Sequence, residues 1–123
     1  KGSEGRRSMT GAWKLHRVDP DAEYDGIWLF AVGGVATYQD INPAAPRPLL
    51  GSWSESQHDF RYEMWVGFEA DPATSTPALT AQVAGKGDRS GASFTTNYHV
   101  VFFDAGSGAP VFAYDGSGTG IPL

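Results

Sequence analysis

The sequence predicts an all-β fold: a single closed, antiparallel, mostly up-and-down β-barrel of about eight strands. The first observation is composition, because 16 glycines and 8 prolines spread over 123 residues interrupt any long helical pattern. The second is periodicity, since the aromatic and β-branched residues between them alternate with polar ones, as in strands with one buried face. The third is connectivity. Most predicted strands are joined by short turns, and closing such a meander removes its exposed edges.

Eight strands are predicted in order along the chain. They lie near residues 11–18, 26–32, 35–40, 50–56, 60–69, 78–85, 92–103 and 110–115. Gly33 and Gly34 can supply the positive φ angles of a two-residue hairpin, and short polar turns are predicted at residues 56–59, 86–91 and 104–109. Two proline-rich connections, 41–48 and 71–77, are expected to cross the surface or cover a barrel mouth. The first of these, Ile41 to Pro48, is a candidate lid.

The strand at residues 92–103 favours a barrel over an open sheet or a sandwich. At about 12 residues it would span roughly 40 Å, which is long for a compact sandwich and natural for a tilted barrel strand. Alternation gives its inner face as Phe94, Thr96, Tyr98, Val100 and Phe102. In the same way the strand at 60–69 turns Phe60, Tyr62, Met64, Val66 and Phe68 inward, and the first strand turns Trp13, Leu15 and Arg17 to one face.

Composition indicates one globular domain. Hydrophobic residues make up 41% of the chain and charged residues 19%, and no apolar run approaches the roughly 20 residues of a membrane-spanning helix. Residues Lys1 to Ser8 are polar and basic, so we interpret 1–8 as a disordered arm or expression remnant and 9–123 as the barrel domain.

Charge and cysteine content narrow the expected partners and compartment. The formal net charge of -5 argues against nucleic acid and anionic membranes as partners. The chain has no cysteine, which excludes disulfides, and no hydrophobic segment of a signal peptide near its start. We therefore expect a cytoplasmic protein, monomeric or homodimeric.

Two Gly-x-Trp motifs carry a family resemblance. Gly11-Ala12-Trp13 heads the first strand, as in the lipocalin and calycin signature, and Gly51-Ser52-Trp53 follows in mid-chain. With the Gly33-Gly34 hairpin, the aromatic strand Phe60 to Trp65 and the glycine-rich run Gly116 to Gly120, the chain resembles small bacterial lipocalin-like proteins. The resemblance implies a ligand-binding barrel plugged by Trp13. The chain departs from lipocalins in lacking a cysteine pair and a basic residue near Ile121 to pack on that tryptophan.

Few residue patterns point to chemistry. His16, His58 and His99 share no metal-ligand spacing, so neither a metal nor a cofactor is expected. His58 falls in a predicted turn, whereas His99 lies within a strand. The strand positions of Asp40, Glu55, Glu63 and Glu69 mostly predict outward, solvated carboxylates. No Gly-x-Ser-x-Gly elbow is present.

The aromatic residues and a few polar neighbours form the candidate site. If tyrosine hydroxyls converge inside the barrel, they make an apolar pocket with a few placed polar groups, which is how small-molecule sites are usually built. The candidate catalytic residues are Tyr62, Tyr98 and His99. The candidate ligand-binding residues are Trp28, Phe30, Tyr38, Trp53, Met64, Gln82, Phe94, Thr96, Phe102 and Tyr114.

Three functions are compatible with such a barrel. The first is a cofactor-independent cyclase or isomerase of secondary metabolism that acts on a hydrophobic small molecule, since positioning and excluded water alone lower a barrier substantially. It is favoured by fold-level similarity to allene oxide cyclase-like barrels and natural-product cyclases. The second is a non-catalytic, lipocalin-like carrier of a hydrophobic ligand. The third is an interaction module whose barrel is completely filled by side chains.

Overall fold

The computed structural model describes residues 8–57 and 59–123 and forms a closed eight-stranded antiparallel barrel. Its strands are β1 (Gly11–Val18), β2 (Glu23–Ala31), β3 (Val35–Asn42), β4 (Leu49–Ser56), β5 (Asp59–Phe68), β6 (Leu79–Ser90), β7 (Ser93–Asp104) and β8 (Pro110–Pro122). Each strand pairs with the next, and β8 returns to pair with β1, so the sheet has no free edge. The predicted fold class is confirmed. Residues 1–7 of the predicted arm, and His58, lie outside the described residues.

Period-two alternation places the side chains as predicted in β1, β5 and β7. In β7 the buried residues are Phe94, Thr96, Tyr98 and Val100, and in β5 they are Phe60, Tyr62 and Met64. The intervening residues of β5 are exposed, including Trp65. Trp13 and Leu15 are buried on the inner face of β1, and Arg17 follows them on that face.

The sequence prediction ended β6 and β8 too early. β6 continues through residues 86–90, which were predicted to be a turn, and β8 continues to Pro122 instead of ending near residue 115. The reason is that glycines in these segments accept large rings from the neighbouring strand. A Cβ on Gly120 would lie 2.3 Å from the Phe94 ring, and one on Gly116 would lie 2.5 Å from Tyr98. These glycines allow close packing within strands and do not break them.

The two Gly-x-Trp motifs need glycine for different reasons. Gly11 has a φ of 127°, a conformation that L side chains rarely adopt. Gly51 has an ordinary backbone, but a Cβ there would lie 1.9 Å from the carbonyl oxygen of Glu63 and 2.7 Å from the Cα of Met64. At Gly51, therefore, β4 approaches β5 too closely for any side chain.

Replacing Gly51 by Ala should lower the free energy of unfolding by about 2 to 3 kcal/mol, because backbone must move to admit the methyl group. Gly67 is the matched control: it lies in β5, and a Cβ there meets nothing within 4 Å. Urea unfolding of both variants measures the difference. Equal stability of Gly51→Ala and Gly67→Ala would contradict the close approach of β4 and β5.

One end of the barrel is filled by a continuous hydrophobic core. Trp13 packs edge-on against Phe94 with ring centroids 5.0 Å apart, and its Nε1 donates a 2.8 Å hydrogen bond to the carbonyl oxygen of Met9. The guanidinium of Arg89 lies 4.8 Å from the centroid of the Trp13 ring, and its Nη1 donates to the carbonyl oxygen of Ser8 at 2.6 Å. The cation that packs on Trp13 is therefore Arg89, at the end of β6. Trp13 closes this end of the barrel.

Among residues 8–57 and 59–123, no helix is long and apolar enough to cross a membrane.

Candidate functional site

The other half of the barrel contains a cavity of about 250 Å³. Its deep end is formed by side chains that pack on the filled core, including Trp28 and Tyr62. Aromatic side chains line much of the remaining wall, together with aliphatic and sulfur-containing ones, among them Met64, Val66, Ala81, Val83 and Val100. At about 30 Å³ per water molecule the space equals roughly eight waters, just below the usual range of ligand pockets. A small ligand therefore fits, and the barrel is not completely filled.

The indole of Trp28 lies at the deep end of the cavity. Of the buried side-chain nitrogen and oxygen atoms in the described part of the chain, its Nε1 is the one without a hydrogen-bond partner. The ring is instead surrounded edge-to-face by aromatic neighbours, with centroids at 4.6 Å for Tyr62 and 5.7 Å for Tyr38. Aromatic packing, and no conventional hydrogen bond, holds this indole in place.

A buried ion-pair network lies at the outer end of the cavity. Arg17 binds Asp40 with two hydrogen bonds, Nε to Oδ1 at 3.1 Å and Nη2 to Oδ2 at 2.7 Å, while its Nη1 donates to Asp19. The side chains of Arg17, Asp19 and Asp40 are only 16%, 4% and 9% exposed. Tyr24 covers the guanidinium, with 3.9 Å from its carbon to the ring centroid. Two carboxylates against one guanidinium give this group a formal charge of -1.

Three tyrosine hydroxyls complete this network. Tyr38 donates to Asp40 at 2.6 Å, Tyr98 to Asp19 at 2.5 Å, and Tyr114 to Asp19 at 3.2 Å. We call these six residues the Arg17 cluster: Arg17, Asp19, Tyr38, Asp40, Tyr98 and Tyr114. Because each hydroxyl proton points at a carboxylate, the hydroxyl oxygens retain lone pairs that can accept hydrogen bonds.

Burial keeps the cavity tyrosines protonated. Burial and hydrogen bonds to Asp40 and Asp19 raise the pKa of Tyr38 and Tyr98, and burial raises that of Tyr62 and Tyr114 as well. Burial lowers the pKa of Arg17, but its bonds to Asp40 and the charge of Asp19 outweigh this, so its pKa is raised. At neutral pH the tyrosines are therefore hydrogen-bond donors and not bases.

The raised pKa values predict a loss of stability at high pH. Tyr38, Tyr62, Tyr98 and Tyr114 hold their protons more tightly when folded than when unfolded, so the stability that they contribute is complete below about pH 10 and falls above it. Each tyrosine can lower the free energy of unfolding by up to about 1.4 kcal/mol per pH unit in this range. Tyr62→Phe should remove the contribution of one tyrosine to this slope. Urea unfolding at alkaline pH, with phenolate absorbance, measures this. Formation of all four phenolates in a chain that stays folded would contradict it.

Most of the predicted site residues surround this cavity. Those that line it are Trp28, Tyr38, Tyr62, Met64, Tyr98, Phe102 and Tyr114. Three others lie inside the barrel but in the filled core: Phe30, Phe94 and Thr96. Thr96 supports the site from below, since its hydroxyl bonds to the Tyr62 hydroxyl at 2.5 Å and donates to the carbonyl oxygen of Lys86 at 2.8 Å.

The remaining three predicted site residues lie away from the cavity. His99 is on the outer surface, with 56% of its side chain exposed and Nδ1 2.8 Å from Asp115. Gln82 alternates with the cavity-lining Ala81 and Val83 and therefore points outward. Trp53 packs edge-on against Phe30 and donates to the carbonyl oxygen of Ala31 at 2.9 Å. These three side chains therefore do not line the cavity.

Sequence reasoning missed the ionic part of the site. It predicted the listed carboxylates to be mostly outward, and Asp40 is buried in the cavity, whereas Glu55, Glu63 and Glu69 are exposed as expected. Two signals were present: Arg17 shares the inner face of β1 with Trp13, and Asp40 follows Tyr38 by two residues on β3. An inward arginine requires inward carboxylates.

The proline-rich connection after β3 lies at the outer end of the cavity. Ala45 lines the cavity, and its carbonyl oxygen accepts a 2.5 Å hydrogen bond from Nε2 of Gln39. Ala45 also donates from its backbone nitrogen to the carbonyl oxygen of Asp40 at 3.2 Å. The loop is thus tied to the strand that carries part of the Arg17 cluster. A role of residues 41–48 as a moving lid stays a prediction.

The fold and the cavity define a class of protein: a small, closed, eight-stranded antiparallel barrel of lipocalin-like architecture with an internal cavity. No protein-family model matches the chain, and no match is found among curated proteins or solved structures. In the described part of the chain, no three histidine or acidic side chains gather in a way that could hold a metal ion.

Proposed function

We propose that this barrel binds a small, predominantly apolar molecule in its internal cavity. The observation that supports the proposal is an open space of about 250 Å³ lined by aromatic and aliphatic side chains, with polar groups concentrated at one end. This division into an apolar body and a few oriented polar groups is typical of small-molecule sites. Transfer of the ligand's apolar surface from water provides the driving force.

The Arg17 cluster supports a preference for neutral ligands with a hydrogen-bond donor. The hydroxyl protons of Tyr38, Tyr98 and Tyr114 are directed at carboxylates, so these oxygens can meet a ligand only as hydrogen-bond acceptors. The formal charge of -1 disfavours an anion next to the cluster. A hydroxyl or amine N–H group on an apolar molecule fits these conditions.

Filling the cavity tests the proposal. Ala81 lines the cavity and is buried, so Ala81→Leu should occupy the space and weaken binding of indole, para-cresol and benzyl alcohol at least about tenfold. Ala113 is an exposed residue of β8, and Ala113→Leu is the matched control. Affinities are measured by titration of the full chain, followed by NMR shifts of the Val83 and Val100 methyl groups. Benzoate, an anion of similar size, should bind more weakly than benzyl alcohol.

Two results would overturn this proposal. The first is that none of the neutral probes moves the cavity methyl resonances at millimolar concentration. The second is that Ala81→Leu and Ala113→Leu bind the probes equally, because the binding would then lie outside the cavity.

Cofactor-independent cyclisation or isomerisation, expected from the sequence, would use the same cavity and stays a prediction. Of the three candidate catalytic residues, Tyr62 and Tyr98 line the cavity and His99 does not. The Tyr98 hydroxyl donates its proton to Asp19 and the Tyr62 hydroxyl is bonded to Thr96, so these two tyrosines would orient a substrate, whereas Asp19 and Asp40 are the groups that could accept a proton. Removal of turnover by Asp40→Asn, with binding of the neutral probes retained, would favour catalysis over transport.

A further inference from the structure

Besides the cavity, the barrel has a surface groove at its rim, which we call the rim groove. It has a volume of about 340 Å³ and shares four residues with the cavity: Asp19, Tyr24, Phe102 and Tyr114. Pro20, Asp21 and Phe112 complete its lining. The groove therefore adjoins the cavity and shares part of its lining.

Aromatic rings form one side of this rim groove. Phe102 and Phe112 are stacked with centroids 4.5 Å apart and planes at 12°, and Tyr114 extends the row at 6.3 Å from Phe102. Half of Phe112 is exposed although the side chain is large and apolar. Tyr24 already holds one cation on its face, the Arg17 guanidinium. The faces of such rings carry partial negative charge and attract cations.

The charges around the rim groove are predominantly negative. Asp21 is exposed at the groove, and Asp19 lies beside it, bonded to Arg17, Tyr98 and Tyr114. Among the described residues that line the groove there is no basic side chain. Arg17 is paired with Asp19 and Asp40, and Asp21 is an additional carboxylate at the groove. A positive group in the groove therefore gains attraction from rings and carboxylates together.

We propose that the rim groove is a binding site for an alkylammonium group, with the cationic methyl or methylene groups on the Phe102, Phe112 and Tyr114 row and the positive charge near Asp21. An aromatic surface next to carboxylates is the arrangement that recognises quaternary and methylated ammonium groups. A molecule whose apolar part occupies the cavity would present its ammonium group here, past Phe102 and Tyr114. That last clause rests on the proposed function; binding of the ammonium group alone does not.

Choline and its neutral shape match, 3,3-dimethylbutan-1-ol, test the proposal. The two molecules differ in one atom, nitrogen for carbon, and so in charge but hardly in size. In titrations of the full chain followed by NMR, choline should bind at least about tenfold more tightly than the alcohol and shift the Phe112 and Tyr114 ring resonances. Equal affinities, or tighter binding of the alcohol, would overturn the proposal.

Two pairs of variants locate the binding. Asp21→Asn and Phe112→Leu should each weaken choline binding by about threefold to tenfold. The matched controls are Asp115→Asn, an exposed carboxylate of the outer face, and Phe103→Leu, which removes a ring stacked on Trp65 outside the barrel. Both controls should leave choline affinity unchanged. Equal losses in a variant and its control would overturn the assignment to the rim groove.

The proposals for the rim groove and for the cavity can be tested separately. Ala81→Leu should weaken binding of indole at least about tenfold and leave choline binding unchanged, since Ala81 lines the cavity and not the groove. If choline fails to bind while indole still binds the cavity, the ammonium site is wrong and the proposed function stands. If choline binds and no neutral probe does, the proposed function is wrong and the ammonium site stands.

Discussion

Arg17→Met is expected to destabilise the folded chain by about 3 to 5 kcal/mol, the usual result of removing one partner from a buried ion pair. The substitution leaves Asp19 and Asp40 buried without their cation, and methionine cannot replace the three hydrogen bonds that Arg17 donates. Urea unfolding at neutral pH measures the effect.

Arg47→Met is the control for this experiment. Arg47 also pairs with a carboxylate, Glu69, but both side chains are at least half exposed. Exposed pairs contribute little, so this variant should change the unfolding free energy by about 0.5 kcal/mol or less. If Arg17→Met were as mild as Arg47→Met, the Arg17 cluster could not be a buried network in solution.

Trp13→Ala is the second substitution with a large expected effect, again about 3 to 5 kcal/mol. Trp13 is 3% exposed, packs on Phe94, donates to Met9 and lies against Arg89, so its removal opens a void at the closed end of the barrel. The thermal unfolding midpoint should fall by many degrees.

Trp65→Ala removes the same side chain from an exposed position. Trp65 is 43% exposed and stacks on Phe103 on the outer face, so its loss should cost about 1 kcal/mol. Equal midpoints for the Trp13 and Trp65 variants would show that Trp13 does not plug the barrel.

The strand faces were predictable because a barrel imposes one simple rule on each strand. Residues at i and i+2 point to the same side, so the buried sets of β5 and β7 could be derived from alternation alone. Closure of the sheet was also predictable, since eight sequential strands have no other way to pair both edges. The strand ends were not, because a glycine in a turn and a glycine beneath a ring have the same sequence signature.

The ionic part of the site could not be predicted from the pattern of any single strand. Arg17, Asp40 and Asp19 come from β1, β3 and the segment after β1, and only the barrel's register brings them together. Whether the interior is hollow depends on the sum of all inward side-chain volumes. His99 and Gln82 show the converse: both have suitable chemistry, but alternation had already placed them outside.

Four glycines of the barrel pair directly with large rings in the strand register. The four pairs are Phe60 with Gly87, Tyr62 with Gly85, Phe94 with Gly120, and Tyr98 with Gly116. At Gly116 and Gly120 the nearest atoms that a Cβ would meet all belong to the ring opposite, so an enlarged glycine there can be tolerated only if that ring shrinks at the same time. At Gly85 and Gly87 a backbone carbonyl oxygen also blocks the space, so these positions must stay glycine. In related sequences the Phe94–Gly120 and Tyr98–Gly116 pairs should therefore covary as large and small partners, and such covariation would align barrels of this kind even where no motif is preserved.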